Sequence, residues 1–283
     1  ENQSDIGISM QEGPFRGNSA SMLTEVFGAQ AGAPHYVTGV AYADTDRDDF
    51  YSIGEGQSGI QFATDDAQTR SASAGGYALD ADGNTTSVTI SQDGTTLSTL
   101  SIDTSDGNAK LDVITQNNGS MSLAVSTNTT LISGIDDARV LGAANLNLTG
   151  HGGENTLEGN GAKNTLKGAG GDDLLKGYGG NDKLIGGKGS DKLVGARGDD
   201  TLKGSSGADL LKGGSGDDTL EGNEGHDEIF AGDGNDYVDG GTGDDYIEGG
   251  AGHDALFGGE GDDVISGGAR NTTSSEPSSM QRW

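Results

Sequence analysis

The chain has no cysteine, only three prolines among its 283 residues, and few aromatic residues. Without cysteine, no disulfide can hold a fold together, and the hydrophobic fraction of 31% argues against one large core. No apolar stretch approaches the length of a membrane span, so membrane insertion is not expected. Basic residues are scarce as well: 16 Lys and Arg against 45 Asp and Glu give a formal charge of −29. That charge opposes binding to nucleic acid or to an anionic membrane.

Glycine is the residue in excess, with 53 copies, and most of them lie in a repeat between Gly150 and Ser266. The run divides into thirteen nonapeptides in one register; Gly195–Lys203 reads GARGDDTLK. We number the places of each nonapeptide from 1 to 9. Place 8 is always Leu, Ile or Val, and place 6 is Asp in the last eleven units but Asn155 and Asn164 in the first two.

The nonapeptide predicts half a coil of a parallel β-roll. Glycine accepts positive φ without steric cost, so the first six places favour a turn. The last three places favour a short strand whose middle side chain points inward. Units eighteen residues apart would then stack at the β spacing of about 4.8 Å, with the aliphatic residues of place 8 forming a thin core. We predict such a roll over residues 150–268.

This core is too thin to fold the roll by itself. Burying one Leu contributes roughly 1.5–3 kcal/mol, whereas ordering each backbone residue costs about 1–2 kcal/mol. Stacked place-6 carboxylates would also repel one another. Calcium reverses that repulsion, because it accepts six to eight oxygens from carboxylates and carbonyls in flexible geometry. An acidic, glycine-rich disordered tail is the alternative interpretation; it explains the composition but not the fixed aliphatic place, and disorder is the expected state without calcium.

The repeat resembles the calcium-binding nonapeptides of secreted RTX proteins. The resemblance implies calcium ions between successive turns on one side of the roll, held by main-chain carbonyls and the place-6 carboxylates. It implies weak sites or none at the two Asn units. Pairing turns eighteen residues apart gives nine Asp pairs. The side-chain ligands would be Asp173, Asp182, Asp191, Asp200, Asp209, Asp218, Asp227, Asp236, Asp245, Asp254 and Asp263.

Residues 35–115 read as an all-β region with Asp-Gly turns, which we interpret as a small β-sandwich. Its arrangement resembles the transthyretin-like and B-type repeat domains of bacterial surface proteins. The predicted strands are Tyr36–Ala43, Gly59–Ala63, Gly76–Leu79, Ser87–Ser91, Leu97–Ile102 and Lys110–Thr115.

Inside this region, residues 44–55 have the ligand spacing of an EF-hand calcium loop, with oxygen groups at positions 1, 3, 5, 7, 9 and 12. Position 6 is Asp49 where the motif has Gly, and no helix pattern flanks the loop. We interpret the segment as an EF-hand-like loop between strands; a solvated acidic hairpin is the alternative. The ligands would be Asp44, Asp46, Asp48, the carbonyl of Phe50, Ser52 and Glu55.

Three further segments complete the predicted organisation. Residues 1–34 contain one plausible strand, Ile6–Met10, and resemble the end of a bacterial CAP-superfamily domain. Residues 116–149 resemble the irregular strands that precede RTX rolls and should cap the open end of the solenoid. Residues 269–283 form a polar C-terminal tail.

The sequence offers no catalytic pattern: it has no H-E-x-x-H, no G-x-S-x-G and no P-loop lysine. We therefore expect a secreted, non-enzymatic calcium-binding protein with a structural or adhesive role outside the cell. Its partner would be a further copy of the chain or a cell-surface or matrix component. The alternative is an accessory or secretion module of a larger CAP-superfamily or other RTX enzyme. Ice binding is excluded, because the outward places mix Lys, Glu, Tyr and Phe instead of forming a flat ladder of Thr or Asn.

Overall fold

The structure is a computed structural model, and it describes residues 8–15, 18–25, 35–45, 55–81, 84–116, 118–268 and 273–274, with side chains from residue 35 to residue 268 within those ranges. The described residues contain 27 strands and no helix, so the predicted all-β class is confirmed for them. No described helix is long and apolar enough to span a membrane. The chain divides into two compact units, Glu1–Ala124 and Val125–Trp283.

The strands up to the end of the first unit are β1 (Ile8–Phe15), β2 (Asn18–Glu25), β3 (His35–Asp44), β4 (Gln61–Ala63), β5 (Gln68–Arg70), β6 (Gly76–Ala81), β7 (Thr85–Gln92), β8 (Thr95–Asp103), β9 (Ala109–Gln116) and β10 (Met121–Val125). The strands of the second unit are β11 (Thr129–Ser133), β12 (Asp137–Val140), β13 (Asn147–Thr149), β14 (Thr156–Glu158), β15 (Thr165–Gly170), β16 (Leu174–Gly179), β17 (Lys183–Lys188), β18 (Lys192–Arg197), β19 (Thr201–Ser206), β20 (Leu210–Ser215), β21 (Thr219–Glu224), β22 (Glu228–Asp233), β23 (Tyr237–Thr242), β24 (Tyr246–Ala251), β25 (Ala255–Glu260), β26 (Val264–Ser266) and β27 (Thr273–Ser274).

The first two strands form an antiparallel hairpin, in which β1 and β2 pair along their whole length. The sequence predicted only one short strand here, Ile6–Met10. Pro14 lies inside β1, which an outer strand tolerates because proline there leaves no ladder hydrogen bond unmade. Residues 26–34, at the end of the CAP-like segment, lie outside the described residues, and that resemblance stays a prediction.

Strands β3 to β10 lie in two sheets. One has the order β10-β9-β3-β6, in which β3 runs parallel to β9 and antiparallel to β6. The other has the order β8-β7-β4-β5 and is antiparallel. Each of the six strands predicted between residues 36 and 115 overlaps an observed strand. Strand β5 was not predicted, because Gln68–Arg70 contains no apolar residue.

Residues of both sheets are buried in this first unit. Val37 of β3 and Ile90 of β7 have no exposed surface. Phe62 of β4 stacks on Tyr77 of β6, with ring centroids 3.6 Å apart. Because these two rings belong to different sheets, the sheets face each other at this point. The contact agrees with a β-sandwich, but the sandwich and its resemblance to bacterial surface domains stay predictions.

In the second unit the repeats form two parallel ladders. The even-numbered strands from β12 to β26 make one ladder, and the odd-numbered strands from β11 to β27 make the other. Neighbouring strands of one ladder are two repeat units apart, so that Leu202 of β19 lies opposite Leu220 of β21. The parallel roll and its eighteen-residue register are therefore confirmed.

The core of the roll consists of the place-8 residues. Each of them from Leu157 to Leu256 is fully buried. Ile265, at the last repeat, is partly exposed. Place 1 also points inward, and Ala231, the one alanine at that place, is fully buried. The aliphatic residues of place 8 and the small residues of place 1 together form the inward faces of the two ladders.

The strands of the repeats are longer than predicted. Strand β19, for example, begins at place 7 of one unit and continues through place 3 of the next, giving six residues instead of three. Pairing with β21 skips Gly204 at place 1, between Lys203 and Ser205. The prediction of a six-residue turn was wrong because places 2 and 3, although rich in glycine, still pair with the strand eighteen residues away. Only places 4 to 6 form the turn.

The strands before the repeats are stacked in the same two ladders but in an irregular register. Thr129 lies opposite Leu148, and Asp137 lies opposite Thr156, so both pairs are nineteen residues apart. Ala138 lies opposite Leu157, and Thr129 lies opposite Leu148, so both bury their side chains in line with the place-8 residues. The predicted irregular strands are thus present as β11 to β13. Most of the predicted polar tail lies outside the described residues.

Candidate metal centre

The place-6 aspartates lie at the end of each turn, where the next strand begins. The exposed fraction is only 1–2% in ten of the eleven, whereas Asp263, in the last unit, is half-buried. A turn that buries a carboxylate is unusual, because the charged form loses its water. This applies to Asp173, Asp182, Asp191, Asp200, Asp209, Asp218, Asp227, Asp236, Asp245 and Asp254.

One oxygen of each carboxylate is used by the fold. The backbone N–H of Asp191 donates to Oδ1 of Asp209 at 2.7 Å, and that of Asp209 donates to Oδ1 of Asp227 at 2.8 Å. The same bond repeats along the other ladder, from Asp200 to Asp218 at 2.8 Å. The structure therefore brings together the pairs of turns that the sequence predicted, eighteen residues apart.

The other oxygen has no partner. Within the described residues, Oδ2 of all nine aspartates from Asp173 to Asp245 is buried and accepts no hydrogen bond. A buried oxygen without a donor is costly, and a negatively charged one is more so. A series of nine such atoms in one repeated position indicates a place for cations.

Backbone carbonyls lie beside these oxygens. A Cβ built on Gly204, at place 1, would lie 2.2 Å from Asp209 Oδ2 and 2.9 Å from the carbonyl oxygen of Gly222. A carboxylate oxygen and a carbonyl oxygen thus approach a common point. No group of three or more His, Asp or Glu side chains converges in the described part of the chain. The carbonyls beside Oδ2 are the further oxygen atoms that the turns offer. An all-oxygen donor set of this kind fits calcium.

Burial also changes the acidity of these groups. It raises the pKa of Asp200, Asp209 and Asp218 from 3.8 to about 7, with further increases from neighbouring carboxylates and a partial decrease from the backbone hydrogen bond. Burial raises the pKa of Asp182 and Asp245 to about 6. Without a cation, protons would therefore stay on these carboxylates near neutral pH.

The turns have a backbone that only glycine adopts without strain. Place 4 is a glycine with positive φ in every unit from the third onward; Gly207, for example, has a φ of 131°. A Cβ on Gly207 would lie 1.9 Å from the carbonyl oxygen of Gly189. Stacked turns leave no room for a side chain there, because each turn contacts the backbone of the turn eighteen residues before it.

The sequence model of the RTX calcium-binding nonapeptide repeat matches residues 149–193, 167–202, 185–220, 203–238, 212–247 and 239–271. Residues 149–271 are RTX calcium-binding repeats. The match agrees with the partnerless place-6 oxygens and with calcium as the ion. It does not extend to residues 1–148. None of the curated proteins compared with the chain matches it.

The first two RTX repeats depart from the others, as the sequence predicted from Asn155 and Asn164. Their residues at places 2 and 4 are not among those with positive φ, whereas both places have it in all later units. Both asparagines are buried, with exposed fractions of 3% and 0%. The calcium-type turn therefore begins at the third repeat, Gly168–Lys176.

The place-1 glycines belong to the candidate RTX site, and the sequence reasoning did not identify them as such. Their carbonyls lie beside the partnerless carboxylate oxygens in the turns. The available signal was that place 1 is glycine in twelve of thirteen units. Sequence reasoning assigned this glycine only to the turn.

The predicted EF-hand-like loop is described only at its two ends. Asp44 and Glu55 are buried, with exposed fractions of 1% and 7%. Thr45 donates to Glu55 Oε1 through its backbone N–H at 2.7 Å and its hydroxyl at 2.6 Å. The structure therefore brings the first and last predicted ligands of the loop into one region. The remaining predicted ligands, Asp46, Asp48, Phe50 and Ser52, lie outside the described residues, and the site stays a prediction.

Proposed function

We propose that this chain is a secreted, calcium-dependent structural or adhesive protein and that it is not an enzyme. The observation that carries the proposal is the row of nine buried, partnerless Asp oxygens in the roll, from Asp173 to Asp245. Seven of them lie beside a backbone carbonyl in a turn of the RTX type, namely those of Asp173, Asp182, Asp200, Asp209, Asp218, Asp227 and Asp245. The roll therefore folds when calcium neutralises these carboxylates, and it presents its outer faces to a partner.

Extracellular location follows from the affinity that such a site needs. Extracellular calcium modules work at about 10⁻⁴–10⁻³ M. Cytosolic calcium is far below that range, so the roll would stay unfolded before export and fold outside the cell. A formal charge of −29 keeps the ion-free chain expanded through repulsion between its carboxylates.

Circular dichroism of the purified full chain, in calcium and then in chelator, tests this proposal. We expect residues 168–266 to lose their β signal in chelator, because the buried Oδ2 atoms of their place-6 carboxyl groups then have neither a cation nor a hydrogen-bond partner. Much of the β signal of residues 35–115 should persist, since that region has its own buried residues, such as Val37 and Ile90. Hydrogen exchange measured by mass spectrometry assigns the loss to segments. Equal spectra in both conditions would refute calcium-dependent folding.

Assembly with further copies is the second part of the proposal. The outer faces of the late repeats carry aromatic pairs: Tyr237 packs near Phe257 with ring centroids 5.4 Å apart, and Phe230 packs near Tyr246 at 5.9 Å. Tyr237 and Tyr246 are 43% and 39% exposed. Aromatic residues on an otherwise acidic surface support a contact between chains.

Sedimentation at several protein concentrations in calcium tests the assembly. The chain should form larger species, and the Tyr237→Ser, Tyr246→Ser double variant should remain monomeric with an unchanged roll. If the unaltered chain stays monomeric at every concentration, these aromatic pairs do not mediate self-assembly.

A further inference from the structure

Each polar side-chain atom of Asn155 and Asn164 has a hydrogen-bond partner inside the roll. Asn155 Nδ2 donates to the carbonyl of Asp136 at 3.1 Å, and Asn155 Oδ1 accepts the N–H of His151 at 2.9 Å. On the other ladder, Asn164 Nδ2 donates to the carbonyl of Leu146 at 2.7 Å. Asn164 Oδ1 accepts the N–H of Asn160 at 2.8 Å. Both side chains are therefore neutral and buried, and each of their polar atoms has a partner.

The amide oxygen of Asn155 occupies the position that the partnerless carboxylate oxygen has in later units. A Cβ built on Gly150 would lie 2.2 Å from Asn155 Oδ1 and 2.6 Å from the carbonyl of Gly168. The matching values on Gly204 are 2.2 Å to Asp209 Oδ2 and 2.9 Å to Gly222. The two oxygens differ in their partners: that of Asn155 is already hydrogen-bonded, and that of Asp209 is not.

The reason for the amide lies in the irregular strands below it. The carbonyl of Asp136 faces the first place-6 side chain and also accepts the N–H of Thr156 at 3.2 Å. The carbonyl of Leu146 faces Asn164 in the same way on the other ladder. A carboxylate can only accept hydrogen bonds, so an Asp at position 155 would place its charge against the carbonyl of Asp136. An amide donates to it instead.

Other contacts tie the same strands together without an ion. His151 Nε2 lies 2.9 Å from Asp136 Oδ1, and Asn147 Oδ1 accepts the N–H of Thr165 at 3.0 Å. Leu131, Leu148 and Leu157 supply a continuous buried core. Residues 150–167 carry two acidic and two basic residues, so their charges balance, unlike those of residues 213–266.

We propose that residues 129–167, here called the starter segment, form a calcium-independent nucleus of the roll. Asn155 and Asn164 are the place-6 residues of this nucleus. The backbone N–H of each donates to Oδ1 of the first Asp in its ladder, Asp173 or Asp182, at 2.7 Å. The starter segment thus provides an ordered strand end in both ladders before calcium arrives. When calcium binds, the later repeats fold onto the starter segment one after another, because ordered strands are already present for them to pair with. This inference rests on the proposed calcium binding.

Hydrogen exchange of the full chain in chelator, followed by mass spectrometry, tests the proposal. Peptides from the starter segment should remain protected while those from residues 168–266 exchange freely, and calcium should protect both. If the starter segment exchanges as fast as residues 168–266 in chelator, the nucleus does not exist, although calcium binding stands. If calcium fails to protect residues 168–266, the proposed function and this inference both fail.

The Asn155→Asp variant tests the role of the amide, and Asn181→Asp is the matched control, since residue 181 is exposed in the roll. In chelator, Asn155→Asp should raise exchange in β12 and β14 by roughly tenfold or more, because it removes a donor and buries a charge. Asn181→Asp should leave both strands unchanged. Asn155→Ala, which removes the hydrogen bonds without adding charge, should also raise exchange. Protection unchanged in both position-155 variants would overturn the proposal.

Discussion

The backbone N–H of Asp209 donates a 2.8 Å hydrogen bond to Oδ1 of Asp227, while Oδ2 of Asp227 is buried and has no partner. Each place-6 carboxylate therefore has one oxygen that links neighbouring turns and one that the protein leaves unsatisfied. The first oxygen sets the register of the ladder. The second explains why the ladder needs a cation, because burial of an unpaired carboxylate opposes folding.

Removing the charge of one such carboxylate should have opposite effects with and without calcium. In Asp209→Asn, calcium-loaded stability should fall by roughly 1–3 kcal/mol, because a charged ligand is lost. In chelator the same change should favour folding, since it removes a buried charge. Asp199→Asn is the matched control: residue 199 is exposed at place 5 of its unit. Calcium titrations followed by circular dichroism measure both effects, and equal behaviour of the two variants would contradict the assignment.

Lowering the pH should promote folding of the roll in the absence of calcium. The pKa of Asp200, Asp209 and Asp218 is raised from 3.8 to about 7 in the folded chain. A carboxyl whose pKa is raised on folding stabilises the fold at low pH, and that contribution is lost as the pH rises toward 7. In chelator, the roll should therefore gain β signal between pH 8 and pH 5.

A pH titration in saturating calcium is the control for this prediction. The ion then occupies the carboxylates, so the gain on acidification should disappear and protons should weaken calcium binding instead. If chelated protein shows no more β signal at pH 5 than at pH 8, burial of these carboxyls does not limit folding.

The place-4 glycines should tolerate no side chain. Gly207→Ala would put a Cβ 1.9 Å from the carbonyl of Gly189 at a φ of 131°. We expect a loss of about 3 kcal/mol or more from strain and collision. Gly161→Ala is the control, because nothing lies within 4 Å of a Cβ there, and it should change stability by less than about 1 kcal/mol. Thermal unfolding in calcium compares them; similar melting temperatures would show that the turns do not stack this tightly.

Folding of the late repeats, residues 213–266, should depend on calcium concentration more steeply than folding of the early repeats. Early repeats have cross-strand ion pairs such as Lys176 with Glu158 at 2.8 Å. Residues 213–266 contain sixteen acidic residues and no Lys or Arg, and the pKa of Asp239 is raised by burial and by nearby Glu221. Asp227→Asn should therefore loosen the late turns more than Asp182→Asn loosens the early ones. Hydrogen exchange during a calcium titration measures the difference, and equal loss of protection would refute this electrostatic explanation.

The loop between Asp44 and Glu55 should bind calcium separately from the roll. Glu55→Gln should remove one ion from the total measured by calorimetry, because the last position of such a loop supplies a bidentate carboxylate. The calcium concentration at which the roll is half folded should not change. Gln57→Glu is a control outside the predicted ligand set. An unchanged ion count in Glu55→Gln would favour the solvated acidic hairpin.

The roll was largely predictable because one nine-residue pattern recurs without a shift. The fixed aliphatic at place 8, as in Leu202, predicted the core, and the nonapeptide period predicted that Asp209 and Asp227 would come together. The strand length was not predictable from composition, since Ser205 and Ser206 look like turn residues but still pair with the next strand. The bonding of Asn155 was not predictable either, because it depends on which carbonyl of the irregular strands before the repeats, that of Asp136, lies beside its amide. In the first unit, β5 escaped prediction because its residues are polar.

A crystal structure of the calcium-loaded chain, with calcium located by anomalous scattering, tests the central claim most directly. We expect an ion at about 2.3–2.6 Å from the Oδ2 atoms that are partnerless here, such as those of Asp209 and Asp218. The first ions of the two ladders should involve Asp173 and Asp182, with none centred on Asn155 or Asn164. Ions bound only at the exposed place-5 residues, with the buried Oδ2 atoms still unpaired, would contradict the account.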